Sequence, residues 1–294
     1  MATQFTSPIK PAPQHCENPL CPGPSRSWFG LRKPPRGIWL NEQWYCCAAC
    51  MRQGVERFFR RFNLSSARCR PLRYRQPIGL LMHSRGLITD EQLKTAVQAQ
   101  KEAGSGRLGE WLIHLGATTE EQVTATLSLQ WGCPVFPLEQ KAHFLQWSFM
   151  APYPILNAAR VVVAHGQPSS HTYYLAFADG IDHTLLRSFE AMYQCEAKPC
   201  VAQGSTLNSA LVQIEAAGVP PTTVADCEYH PQPLAQTLQQ AVEAQDAESL
   251  RIVSCAGFHW VRLQHAETFH HILFPIPVPE NVPEEDEVNE PALG

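Results

Sequence analysis

From Pro77 to Gln130 the apolar positions fall at three- and four-residue steps, and the pattern is written twice. Gly79, Gly86, Gln92 and Gln100 return thirty residues later as Gly109, Gly116, Gln122 and Gln130. Leu93, Ala96 and Val97 in the first copy, and Val123 and Leu127 in the second, mark the apolar face of a helix. Each of these helices has its own start signal, Thr89 with Gln92 and Thr119 with Gln122. In such a capping box the threonine oxygen and the glutamine side chain satisfy backbone N–H groups that the first turn leaves free. Gly86 and Gly116 precede the caps and suit a turn out of a shorter helix, where a positive φ costs little only for glycine.

After Pro152 the pattern turns to strands. Residues 160–165 and 172–178 are apolar runs separated by Gly166-Gln-Pro-Ser-Ser170, which predicts a hairpin. Asp182 is placed to cap a helix reaching Tyr193, a strand follows near 197–201, and Ser205 is read as the cap of a helix that buries Leu207, Leu211 and Ile214. Another helix is expected over about 234–247, and a closing hairpin from 250–263 and 269–275, with Trp260 and Phe274 as core residues. Nearer the N-terminus, Ile38 to Tyr45 predicts a short hairpin and the chain from Met51 a helix.

These elements predict an α+β fold. The expected divisions are a disordered stretch 1–15, a small cysteine unit 16–64, a connector 65–71, the helical repeat 72–140, a compact α+β unit 141–218, a helix with a hairpin 219–278, and an acidic disordered tail 279–294. A hydrophobic content of 44% is ordinary for a folded soluble protein, no run approaches a membrane span, and no basic-then-apolar signal opens the chain, so the cytoplasm is the expected compartment.

The net charge of −4 hides an internal polarity. Residues 52–75 carry eight arginines against Glu56 alone, whereas 280–290 carry six acids and no base. Solvated surface accounts for both, and an acidic or phosphate-bearing partner is the sharper alternative. Nucleic-acid binding through the cysteine unit and the connector rests on charge alone.

Five of the eleven cysteines fall between Cys16 and Cys50. In a reducing compartment such clustering favours metal over disulfides. Cys16 and Cys21 come from a loop, and the second set begins a helix whose N-terminus helps to hold thiolate charge. Four sulfur ligands suit structural zinc and leave no open coordination position for hydrolysis. Tyr45-Cys-Cys-Ala-Ala-Cys50 resembles the end of a treble-clef zinc finger, which implies Cys16, Cys21, Cys46 and Cys50 as ligands. Cys47, which forms a Cys47-x2-Cys50 pair, stays open as an alternative to Cys46, and a redox role for a spare Cys47 is a further reading. Cys195 and Cys200 are read as packed small side chains.

The repeat itself, Leu-Gly-x-x-Leu-x-x-x-Gly followed by Leu-x-x-Ala-Leu-x-x-Gln, resembles the N-terminal domain of type II secretion and type IV pilus assembly ATPases, the GspE-type domain. Within that family's domain lies the MshEN-type tandem motif, a cyclic di-GMP receptor, and the resemblance extends to it. Arg107, Leu108, Gly109, Leu112, Gly116, Val123, Leu127 and Gln130 carry the likeness in the second copy. It continues in Arg160-Val-Val-Val and in the segment from Leu175 to Asp182, so that residues 72–217 are covered. The resemblance implies a site formed by Ile78, Gly79, Leu93, Val97, Gln100, Arg107, Leu108, Gly109, Val123, Leu127 and Gln130. Two copies of one motif suit a ligand with two guanines and two phosphates about a pseudo-dyad. Glycine admits the backbone closely, and arginine addresses a guanine edge or face.

The first copy departs from this pattern. Pro77 stands where arginine belongs, Ile78 and Met82 replace leucines, and the spacer 101–106 is one residue longer than usual. Loss of one charge-assisted contact, about 1.5–3 kcal/mol, weakens binding about ten- to a hundredfold. Arg73 or Arg75, one turn away, is placed to compensate.

These 294 residues hold no Gly-x4-Gly-Lys-Ser/Thr loop, since none of the lysines follows a glycine, and ATP hydrolysis by the family mechanism is therefore not expected. Histidines 265, 270 and 271 lack an organising carboxylate pair, and no nucleophile elbow or His-Glu-x-x-His occurs. The expectation is a non-enzymatic regulator or adaptor that binds cyclic di-GMP and carries structural zinc. A ligand-free scaffold docking on a secretion or pilus machine is the alternative.

Overall fold

A computed structural model describes residues 15–21, 37–62, 76–138, 144–218 and 220–277. The readings for 1–14, for the connector 65–71, for Arg73 and Arg75, and for the tail 279–294 lie outside these residues.

The architecture is α+β, built on two sheets. The hairpin predicted near the N-terminus is formed by β1 (Ile38–Leu40) and β2 (Gln43–Tyr45), turning through Asn41 and Glu42, both at positive φ. Helix α1 (Ala48–Arg61) follows and buries Met51, Val55 and Phe59, four residues apart and so on one face. Gly54 of this helix lies against the ring of Tyr45, where a Cβ would come within 2.4 Å of the phenolic oxygen.

The repeat folds as two helix pairs, α2 (Ile78–Ser84) with α3 (Asp90–Ala103) and α4 (Leu108–His114) with α5 (Glu120–Trp131). Both capping boxes are formed, and Gly86 and Gly116 sit at φ 70° and 67°. The pairs pack crosswise, α2 on α5 and α3 on α4, so that each copy covers its twin.

Helices α6 (Phe144–Trp147) and α7 (Tyr153–Ala158) lead into the smaller sheet. Its strands β3 (Val161–Gln167), β4 (Thr172–Phe177) and β5 (Glu196–Val201) lie in that order, β3 antiparallel and β5 parallel to β4. Helix α8 (His183–Tyr193) joins β4 to β5, with Asp182 capping it by accepting from the N–H groups of Thr184 and Leu185 at 2.8 and 3.0 Å. Helix α9 (Gly204–Ala217) closes this unit. Its N-cap is Gln203 rather than the expected Ser205, because Ser205 lies inside the first turn and is engaged by Glu120 instead.

The remainder is β6 (Thr222–Val224), α10 (Pro231–Ala244), β7 (Ser249–Cys255), β8 (Phe258–His265) and β9 (Thr268–Pro275). Strands β8 and β9 make the closing hairpin. The stretch 250–263, read from the sequence as one arm, folds back at Ala256 and Gly257, both at positive φ, and so contributes β7 as well.

The larger sheet has the order β2-β1-β7-β8-β9-β6, so the hairpin of the cysteine unit and the C-terminal strands share one sheet. Parallel pairing of Trp39 with Ser249 and of Leu40 with Leu250 makes the junction. The alternation of strand side chains then sorts the sheet's residues. Ile252, Val261 and Ile272 stand in register and join the core formed with α1 and α10. Val253, Trp260 and Leu273, one residue on, face α8 and belong to the core of the middle unit.

Candidate ligand cleft and metal centre

Within the repeat, equivalent residues do equivalent work. Gln100 Nε2 donates to the carbonyl of Gly106 at 2.9 Å, and Gln130 Nε2 donates to that of Gln76 at 2.7 Å. Each glutamine thus fixes the residue that precedes the other copy's motif. Gly79 packs so tightly that a Cβ would meet Leu93 at 2.6 Å and Leu108 at 2.8 Å, and at Gly109 it would meet Val123 at 3.0 Å.

A cleft of about 340 Å³ opens where the second copy faces the α+β unit. Ile78, Arg107, Leu108, Gly109, Val123 and Leu127 line one wall. The opposite wall comes from Arg160, Ala178, Asp179, Gly204, Ser205 and Asn208. Gly79, Leu93, Val97, Gln100 and Gln130 are not part of its lining. The structure places Gly79 in the interhelical contact and spends both glutamines on backbone carbonyls. Leu93 and Val97 are half-buried on α3.

The cleft is lined by two arginines, Arg107 and Arg160, and three carboxylates, Glu110, Glu120 and Asp179. Asp179 forms ion pairs with both Arg107 and Arg160, the latter at 2.7 Å. Burial, together with the adjacent Arg160 charge, pushes the Arg107 guanidinium below its usual range, and Glu110 opposes the shift. Glu110 also accepts the backbone N–H of Arg107 at 3.2 Å. Across the cleft, Glu120 accepts from the N–H of Ser205 at 2.8 Å and from its hydroxyl, a carboxylate at the N-terminus of α9.

Arg160, Asp179, Glu120, Ser205 and Asn208 were not among the sequence-derived site residues. A signal existed for the first two, since both lie in the segments that carry the resemblance beyond the repeat. Their convergence on Arg107 depends on how the α+β unit packs.

In the cysteine unit, the Sγ atoms of Cys16, Cys21, Cys46 and Cys50 all lie within 4.8 Å of one another. Cys46 is 3.5 Å from Cys21 and 3.7 Å from Cys50. A tetrahedral zinc with bonds of about 2.3 Å places its sulfurs about 3.8 Å apart, so the spacing fits. Donors point at the sulfurs. The Cys46 N–H lies 3.4 Å from Cys16 Sγ, and the buried Asn18 amide donates to Cys50 Sγ at 3.2 Å. Such contacts suit thiolates, and Cys50 sits in the first turn of α1, where the helix dipole favours negative charge. Cys47 occupies the N-cap of α1 and is exposed, with its Sγ 3.9 Å from that of Cys46. Elsewhere, Cys200 is fully buried and Cys195 partly so.

The histidines at the closing hairpin are held by hydrogen bonds. His271 is buried and accepts from Trp260 Nε1 at 2.8 Å, His270 Nε2 lies 2.9 Å from the Thr223 hydroxyl, and His265 Nδ1 lies 2.6 Å from the Asp246 carbonyl.

Half of this chain is similar to solved structures. One is a structure of MshE with cdg, 25% identical, in which 48% of this chain and 99% of that chain are covered at a TM-score of 0.41. The N-terminal domain of XpsE, in two crystal forms, is 17% and 19% identical over 46% of this chain and 92% of that one, with TM-scores of 0.36 and 0.29. Neither a protein-family model nor a curated protein matches the sequence. Among the described residues no helix is long and apolar enough to cross a membrane.

Proposed function

We propose that this protein is a non-enzymatic regulator or adaptor that binds cyclic di-GMP in the cleft at Arg107, acts in the cytoplasm, and serves a secretion or pilus machine. The observation that carries the reading is the convergence of Ile78, Arg107, Leu108, Gly109, Val123 and Leu127, all positions implied by the tandem motif, on one cleft. Apolar walls there suit a base face. Arg107 and Arg160 supply charge for phosphate or a guanine edge once they are released from Asp179.

Cys16, Cys21, Cys46 and Cys50 are proposed to hold a structural zinc ion. Bound there, the metal ties the loop at Cys16 to the start of α1 and so supports the hairpin that extends the larger sheet.

Titration calorimetry of the purified protein with cyclic di-GMP, using GTP and cyclic di-AMP as controls, tests the ligand reading. Micromolar or tighter binding that disappears in Arg107→Ala supports it. A second reading, the ligand-free scaffold, draws on the engagement of Gln100, Gln130 and Arg107 by other groups of the chain. Absence of heat at high ligand concentration leaves that reading in place.

A further inference from the structure

We propose that Cys47 is the oxidant-sensing thiol of the cysteine cluster, and that its oxidation by a hydroperoxide ejects the metal. The inference rests on the zinc reading above.

Five thiols meet at the start of α1, and their burial differs. Cys50 is buried, Cys16, Cys21 and Cys46 are half-buried, and Cys47 is exposed. Four of them converge as a ligand set, whereas Cys47 stands beside it with its Sγ 3.9 Å from that of Cys46. It occupies the N-cap of α1 in extended conformation, and its side chain caps nothing. An N-cap side chain of serine, threonine, aspartate or asparagine would satisfy a free N–H group. Here that place holds a thiol that is solvent-accessible, outside the four grouped sulfurs, and in contact with Cys46.

The chemistry balances with hydrogen peroxide as the hydroperoxide. The Cys47 sulfur attacks the peroxide, the O–O bond breaks, and Cys47 becomes a sulfenic acid while one water leaves. A neighbouring thiol sulfur then attacks Cys47, the S–S bond forms, the S–O bond breaks, and the departing hydroxide takes a proton to give a second water. Two cysteine sulfurs lose two electrons, hydrogen peroxide gains them and becomes two waters, and the proton that a metal-held Cys46 thiolate lacks comes from solvent. Cys46, its Sγ 3.9 Å from that of Cys47, is the attacking sulfur, and it contacts Cys21 and Cys50 as well. Once it is bound to Cys47 the metal keeps three sulfur ligands. Adjacent cysteines bring their Cα atoms closer than the usual disulfide range of about 4.4–6.8 Å, so the bridge is readily reduced and the device resets.

The test uses the full chain. Zinc content is measured first, then hydrogen peroxide is added while zinc release is followed with a chromogenic chelator. In parallel, dimedone labelling and mass spectrometry of alkylated thiols locate the oxidised sulfur. Cys47→Ser keeps all four ligands and places a better capping residue at the start of α1. It is expected to load zinc fully and to slow peroxide-driven release about tenfold or more, with dimedone on Cys47 in the parent protein. Equal release rates in the two proteins, or first labelling at Cys46 or Cys50, overturn the inference and leave the metal site standing. A parent protein that carries no zinc before oxidation overturns the metal reading and this inference with it.

Discussion

Asn41 and Ile252, 211 residues apart, exchange two hydrogen bonds: Asn41 Nδ2 donates to the Ile252 carbonyl at 3.1 Å, and the Ile252 N–H donates to Asn41 Oδ1 at 2.8 Å. The asparagine sits in the turn between β1 and β2 and continues, with its side chain, the parallel ladder that β1 makes with β7. These two bonds add to the backbone pairing that joins the cysteine unit to the C-terminal strands. Asn41→Ala leaves the Ile252 donor and acceptor without these partners and is expected to lower stability by about 1–3 kcal/mol. Denaturant unfolding checks this, and an unchanged midpoint would mean that the junction contributes nothing beyond its backbone pairing.

Metal removal is expected to act through the same junction. Chelation, or Cys16→Ser, should lower the melting temperature and speed amide exchange in β1, β2 and the first turn of α1, while α3 and α5 keep their protection. Hydrogen exchange resolved by peptide distinguishes this from global unfolding. Equal loosening of the repeat would count against a local structural role for the metal.

The repeat's glycines are separable by cause. Gly79→Ala drives a methyl into Leu93 and Leu108, and a cost of about 1–3 kcal/mol is expected even though both neighbours are flexible side chains. Gly109→Ala meets only Val123 at 3.0 Å and should cost less. At Gly116 there is open space but φ is 67°, so alanine there costs about 1 kcal/mol through backbone strain alone. Thermal melts of the three variants should rank them in that way, Gly79→Ala being the most destabilised.

Two buried histidines make stability fall in acid. Burial pushes His259 down to about 4, between the Ser254 hydroxyl at 2.7 Å and the Tyr229 hydroxyl at 2.6 Å. Burial, with the Arg262 charge nearby, pushes His271 down to about 3, and its Nδ1 must stay unprotonated to accept from Trp260. The unfolded chain titrates near 6.5 and therefore binds more protons than the folded one below that value. Stability from these groups is complete above about pH 6.5 and declines at about 1.4 kcal/mol per pH unit for each group as pH falls toward 4. Urea unfolding at pH 7.5 and 5.0 should show a loss of about 2–4 kcal/mol, reduced in His259→Gln. A flat profile would remove the assignment of these two imidazoles as neutral core groups.

Much of the fold was legible locally. The caps at Thr89, Thr119 and Asp182, the turn glycines 86 and 116, and the helical faces are settled by residues within four positions of one another, and the structure forms all of them. The cysteine cluster was also visible from spacing, because a short hairpin is all that must fold to bring it together; spacing left Cys46 and Cys47 open, the treble-clef resemblance implied Cys46, and the structure groups Cys46 with Cys16, Cys21 and Cys50. Ser205 was misread for the opposite reason: its capping pattern is local, but Glu120, 85 residues away, takes its hydroxyl and its N–H.

The repeat, its helix starts and the cysteine cluster were therefore determined by the sequence itself, through steric and hydrogen-bonding preferences that act over a few residues. Tertiary structure alone decided that β1 joins β7, that Arg107 meets Asp179 and Arg160, and that Gln100 and Gln130 face each other's repeat. A three-residue strand such as Ile38–Leu40 carries no mark of its partner, and an arginine in a motif carries no mark of the carboxylate that will neutralise it. Those pairings follow from burial of whole apolar faces against one another, an energy summed over many residues that no single position displays.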